Sequence, residues 1–342
     1  MTSAESPRDA PKGTLGQGYT EPIQGLLKPA GTEKAGIVSA EAEVVSEFAL
    51  RKHHSLWGDV WVQFRKHRLA MLGGVTLVLL ILLSFVGPLV YSGDPDYIDF
   101  AVANQAPSRA HPLGTDSLGR DMLARTMFGG RISISVGIVS MLIAIVMGAV
   151  LGGLAGYYKR LDGPLMRVTD MFLALPLLPL LLVIILLFRD TLRTAFGPET
   201  GIFLLIVFVI GILNWMPAAR IVRGQTLSVK EEEFITAATS VGSRQGRILS
   251  RHVFPNVLSP IMVAATLGVA NAIPTESALS FLGLGFPSDF PTWGRLLYDG
   301  KDFLQLNPWM VIWPGLLISF TVLSINFLGD GLRDALDPRL RD

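Results

Sequence analysis

An all-α integral membrane fold with six transmembrane helices follows from three observations. Half of the residues are hydrophobic and only 17% are charged, where a soluble chain carries about a quarter charged. The apolar residues collect in runs long enough to cross the ~30 Å hydrocarbon layer, which takes about 20 helical residues. Those runs must be helices, because a single span has to satisfy its backbone groups within itself. Six such runs lie at about 69–91, 133–155, 165–188, 202–222, 256–275 and 309–329. The composition also excludes chemistry. The chain has no cysteine, so disulfides and thiolate metal sites are absent. A net charge of +1 gives no attraction to nucleic acid.

Residues 1–45 are rich in Pro, Gly, Ser, Ala and Glu, with no sustained apolar period. They are expected to be a disordered cytoplasmic tail. Residues 55–130 form an N-terminal region. It opens with SLWGDVWVQFRKHR, where Leu56, Val60, Phe64, Trp57 and Trp61 share a helical face and basic residues follow. That pattern predicts an amphipathic elbow helix lying at the inner membrane interface, in contact with lipid. The first span follows, then a polar segment ending in HPLGTDSLGRDMLARTMFGGR. Within it Asp116, Arg120, Asp121 and Arg125 are expected to form an ion network on the outer face. Asp121 and Arg125 stand at the i,i+4 spacing that brings side chains together on a helix.

The core, 131–330, holds the other five spans. Gly148, Gly152 and Gly156 recur every fourth residue, the spacing that lets helices approach closely. Pro176 and Pro179 each remove an intrahelical donor, so the third span should bend there. Polar residues inside spans are the informative ones for transport. Asp170, Asn214, Asn271 and Glu276 are therefore the candidates for lining a translocation path. The apolar residues of 276–305, Leu279, Phe281, Leu282, Leu284, Phe286 and Trp293, should pack on the bundle or re-enter the outer leaflet, because exposing them to water is unfavourable. Residues 331–342 are expected to be a cytoplasmic C-terminal tail.

Lysine and arginine set the orientation. The flanks Arg51–Arg68, Lys159–Arg167, Arg220–Arg251 and Arg333–Arg341 hold about twice as many basic residues as the alternate loops, which places both termini inside. On that side lies the most unusual segment, KEEEFITAATSVGSRQGRILSRHVFP at 230–255. It is long and polar for a loop between spans, and reads as a docking surface. Ala237 and Ala238, then Gly242, then Pro255, resemble the "EAA…G…P" loop of ABC importer permeases, with Thr236 standing where that family has an acidic residue and Glu233 one turn upstream. HPLGTDSLGRDMLARTMFGGRIS, ESALSFLGLGFPSDFPTWGRLL and GDGLRDALDPRLR resemble three hallmark segments of the dipeptide/oligopeptide/nickel permeases, C-type subunit. Together the motifs cover about residues 55–342.

The resemblance implies a type I ABC importer permease core in the cytoplasmic membrane of a prokaryote. It implies that Glu233, Thr236, Ala237, Ala238, Gly242, Arg244 and Pro255 belong to a coupling loop. The implied partners are a second, non-identical permease, two ABC ATPase subunits and an extracytoplasmic substrate-binding protein. The implied cargo is peptide, with nickel chelates or another small solute as the alternative. The chain carries no G-x-x-x-x-G-K-[ST] phosphate loop, so it binds no cofactor itself, and ATP and Mg belong to the partners. Two other classes fit less well. A gradient-driven carrier wants carboxylates near mid-bilayer, and Asp170 stands near a membrane end. An intramembrane enzyme wants a nucleophile with a base or a metal cluster, and His53, His54, His67, His111 and His252 all lie outside the spans.

Overall fold

A computed structural model describes residues 56–336. The expected tail at 1–45 and the last residues, 337–342, lie outside the described residues. Helix α1 (Leu56–Lys66) leads into α2 (Arg68–Phe85), capped by His67, whose Nδ1 accepts the Ala70 N–H at 3.1 Å. Val60 of α1 is buried while Trp61 is 59% exposed, so the elbow helix turns Val60 inward and one tryptophan outward. A short α3 (Gly87–Val90) and a polar segment with one 3₁₀ turn (Phe100–Val102) precede the longest helix, α4 (Met122–Tyr157). Its first turn is capped by the Asp121 carboxylate, which accepts the Ala124 N–H at 2.9 Å; this satisfies one of the free amides at a helix start. The helix passes residues 130 and 131 without a break, so the expected division there is not a structural boundary.

Helices α5 (Lys159–Ala174) and α6 (Leu177–Phe196) replace the expected third span and meet at 88°. The break falls at Leu175–Pro176 alone. Pro179 sits in the first turn of α6, where its missing N–H has no partner to lose, and so does not bend the chain. Helices α7 (Pro198–Ile212) and α8 (Trp215–Lys230) continue one span through an interruption at Leu213–Asn214. After it come α9 (Glu233–Ser240), α10 (Gln245–Ile248), a π turn (Leu249–Val253) and α11 (Phe254–Phe281). The π turn has a local cause. Pro255 has no N–H to offer the preceding turn, and the Phe254 N–H reaches back to the Leu249 carbonyl instead of one residue nearer. The chain closes with α12 (Trp293–Gly300) and α13 (Trp309–Leu336). Helix α13 runs through Leu336, so the expected tail at 331–342 begins as helix.

Five helices, α2, α4, α7–α8, the stretch ending in α11, and α13, are long and apolar enough to cross a membrane, and a sixth crossing exists if the bent α5–α6 pair is one span. Among the described residues there is no strand, only an isolated bridge between Thr115 and Asp121. The Gly148, Gly152, Gly156 series faces α8. A Cβ on Gly148 would lie 2.6 Å from Ala218 Cβ, one on Gly152 2.9 Å from Ala219 Cα, and one on Gly156 2.9 Å from the Arg223 carbonyl oxygen. The α4–α8 contact is therefore backbone on backbone. Gly137 turns to another neighbour, Ile273 of α11.

The two largest apolar cores lie toward opposite ends. One joins Leu181, Ile185, Ile206, Leu279 and Phe286 toward the end where α4 and α13 begin, the cap end. The other joins Tyr157, Val222, Ile235, Ile248 and Val253 at the opposite end, where α9 lies, the loop end.

Candidate functional site

At the loop end, α9 ends in a left-handed glycine. Gly242 has φ +80°, its N–H donates to Thr239 O at 2.9 Å, and the Ser243 N–H donates to Ala238 O at 3.1 Å. These paired reverse bonds close the helix, and a residue with a Cβ is strained at that φ. Arg244 caps α10. Ile235, Ile248 and Leu249 anchor the segment in the loop-end core. Beside that anchored face, the rest of α9 is left open. Phe234 is 43% and Val241 86% exposed, and Ala237 is exposed between them with Ala238 partly so. Positions 234, 237, 238 and 241 follow the i, i+3, i+4, i+7 stripe of one helical face. Glu233, Thr236 and Arg244 are exposed around it. The loop end thus presents a short, rigid helix with an uncovered apolar stripe and a polar rim.

Behind that helix, α8 is tied to its neighbours by charge. Lys230 Nζ donates to Tyr157 O at 2.8 Å. Arg223 grips both oxygens of Asp162, with Nη2 to Oδ2 at 2.8 Å. Asp170 is paired with Arg220 at 2.5 Å, not with the nearby Arg167, and both partners are more than half exposed.

The cap end is built oppositely. Asp116 is 1% exposed, Arg120 6% and Arg125 0%. Asp116 Oδ1 accepts the Leu118 and Arg120 N–H groups at 2.9 Å, and Oδ2 accepts Arg120 Nε at 2.7 Å together with Arg125 Nη1. Arg125 also donates to the Ser288 carbonyl at 2.9 Å and lies 3.5 Å from Asp299, which pairs with Arg295 at 2.8 Å. The expected Asp121–Arg125 pair does not form. Asp121 is engaged as helix cap and by Tyr91 Oη at 2.9 Å and His111 Nδ1 at 2.8 Å, while the turn through Gly119 (φ +77°) brings Asp116 back onto Arg125. Burial and the Asp121 carboxylate push the Tyr91 phenol up to about 12.

The segment following α11 packs over this end. Leu279, Phe286, Trp293 and Leu296 are buried, and Trp293 Nε1 donates to Thr126 O at 2.9 Å. Phe281 and Leu282 depart from expectation, at 44% and 53% exposed. They flank the turn that ends α11 and lie outside the packed seam.

The four residues expected along a path are dispersed, and none is hydrogen-bonded or ion-paired to another among the described residues. Glu276 is fully buried. Its carboxyl is held by Ser133 Oγ at 3.1 Å and Ser280 Oγ at 2.8 Å, so it faces no path in this conformation and instead joins α11 to α4. Asn214 donates to Ile210 O at 2.7 Å across the α7–α8 interruption. Asp170 and Asn271 are exposed. The sequence reading missed Asp162 as a partner of Arg223 because no local spacing relates residues so far apart. It missed His111 and Tyr91 because their partner, Asp121, had been matched to a helical neighbour.

The fold and these two ends define a multi-pass helical membrane protein with a short, partly uncovered helix at one end and a buried polar cap at the other. Residues 128–342 match the family described as binding-protein-dependent transport system inner membrane component, and residues 55–107 match the N-terminal transmembrane domain of oligopeptide transport permease C. The chain is 37% identical over 312 residues to an oligopeptide transport system permease protein of Bacillus subtilis, covering 90% of this chain and 97% of that one. It is 39% identical over 290 residues to a dipeptide transport system permease protein of Alkalihalophilus pseudofirmus, covering 84% and 91%. A glutathione transport system permease protein of Pectobacterium atrosepticum is 37% identical over 287 residues, covering 83% and 92%. The chain belongs to the binding-protein-dependent transport system inner membrane component family.

Proposed function

We propose that this chain is a permease subunit of an ATP-driven importer that carries peptides across the cytoplasmic membrane, with its loop end facing the cytoplasm. The observation that carries the reading is the uncovered stripe Phe234, Ala237, Val241, with Ala238 half-buried at its edge, on a helix closed by Gly242. Small side chains at its centre admit close approach by a partner, and the anchoring of Ile235 and Ile248 beneath it transmits a displacement into α8 and, through the glycine contacts, into α4. The partner is an ATPase subunit, two of them serving two permeases, and the ATP and Mg they use are bound by them. A second, non-identical permease completes the path, and an extracytoplasmic binding protein delivers cargo to the cap end. Three relatives named for oligopeptide, dipeptide and glutathione transport support a peptide cargo over a nickel chelate.

Copurification of the tagged chain from its native membrane, read by mass spectrometry, tests the assembly. Recovery of a second permease, ATPases and a binding protein with bound peptide is the expected result. Recovery of the chain with no ATPase would falsify the reading. Ala237→Trp should leave insertion intact and lower uptake per ATP at least tenfold; unchanged uptake would remove the docking assignment.

A further inference from the structure

Two helix breaks interrupt the middle of the fold. Leu175–Pro176 separates α5 from α6, and Leu213–Asn214 separates α7 from α8. Asp170, a little over one turn toward the loop end from the first break, pairs with Arg220, at a similar remove from the second. Beyond the breaks toward the cap end, α6 and α7 are joined by apolar packing through Leu181, Ile185 and Ile206. Toward the loop end, α5 and α8 are joined by directional charge. Arg223 holds Asp162 through two nitrogens on two oxygens, with the side chains 34% and 27% exposed. A two-pronged bond of this kind fixes orientation as well as distance. The Arg223 backbone is itself pinned, since its carbonyl oxygen lies against Gly156 of α4.

We propose that Asp162 and Arg223 are positioning residues that lock α5 to α8, so that both move with the docking helix as one lever hinged at Leu175–Pro176 and Leu213–Asn214. This rests on the docking reading above. The Asp170–Arg220 pair contributes less, because its exposed partners are screened by water and salt. When α9 is displaced, α8 moves directly, and α5 follows chiefly through the Asp162–Arg223 bond. Without it the displacement stops at α8, ATP is hydrolysed, and the path does not open.

The test is the complete transporter in proteoliposomes, with uptake and ATP hydrolysis measured together. Asp162→Asn and Arg223→Gln should each cut uptake per ATP by about tenfold while hydrolysis stays within twofold. Arg223→Lys, which keeps the charge and loses the fork, should fall between them and the wild type. The exchange Asp162→Arg with Arg223→Asp should recover at least half of the coupling, a rescue that a merely structural role would not produce. Asp170→Asn should cost twofold or less. Full coupling in Asp162→Asn and Arg223→Gln, or an exchange no better than the single variants, overturns the lever. Ala237→Trp separates the two ideas. If it uncouples while the clamp variants do not, the lever fails and the docking reading stands. If Ala237→Trp has no effect either, the docking reading fails and the lever with it.

Discussion

The cap end and the loop end use the same residue types to opposite purposes. At the cap, Asp116, Arg120, Arg125 and Glu276 are almost wholly withdrawn from water, and each is held by several partners. At the loop, Asp170 and Arg220 remain more than half exposed, while Phe234 and Val241, which have every reason to be buried, are not. A buried charge persists only where geometry satisfies it, so the cap is a finished structure. An uncovered apolar stripe signals a surface awaiting a partner. Under the proposed function, the difference says where to look for motion: the buried end is expected to hold its shape and the open end to take up the displacement.

The contrast can be broken first at the cap. Asp116→Leu strips the buried Arg120 of its carboxylate and Arg125 of its shortest ion pair, and should destabilise the protein by about 3–5 kcal/mol, whereas Arg125→Met, which leaves Asp116 paired with Arg120, should cost less. Thermal unfolding of the detergent-solubilised chain measures both. Gly152→Leu comes next, since it drives a side chain into the Ala219 backbone; overpacking of this kind costs about 1–3 kcal/mol and should lower the same midpoint. At the loop, Gly242→Ala should cost about 1 kcal/mol because the residue sits at φ +80°. Gly246→Ala, with nothing within 4 Å of its Cβ and no positive φ, should be neutral or slightly stabilising. Tyr91→Phe should cost about as much as Gly242→Ala, about 1 kcal/mol for the lost hydrogen bond to Asp121. Its pH signature is distinctive. The Tyr91 phenol is raised in the folded protein to about 12 from its ordinary 10.0, so its contribution is complete below about pH 10 and is lost as pH rises through about 12. Alkaline unfolding followed by tryptophan fluorescence should show that slope in the wild type and a flatter one in Tyr91→Phe.

What the sequence discloses depends on how far apart the cooperating residues lie. The crossing helices were legible because hydrophobic runs are local. The stripe at 148, 152 and 156 was legible as a contact because one periodicity sets it, although its partner, α8, was not. Gly242 was legible as part of the loop motif, and its left-handed turn supplies the physical reason for a glycine there. Asp116 with Arg125 was not, because a turn through Gly119 reverses the chain between them, and helical spacing pointed to Asp121 instead. The 88° break was underestimated because Pro176 and Pro179 look alike in sequence, yet only one interrupts a helix. Glu276 looked like a pore residue because a lone carboxylate in an apolar run does; its hydroxyl partner Ser133 stands in a different helix.

The central claim is that the α9 face is cytoplasmic and covered by an ATPase in the working assembly. The chain has no cysteine, so Val241→Cys supplies a single thiol at a position 86% exposed here. Labelling with a membrane-impermeant maleimide decides the matter. The account predicts no labelling in intact cells, strong labelling in inside-out vesicles stripped of peripheral proteins, and loss of that labelling when the ATPases are restored. Labelling from outside intact cells, or labelling in stripped vesicles that restored ATPases leave unchanged, would contradict it.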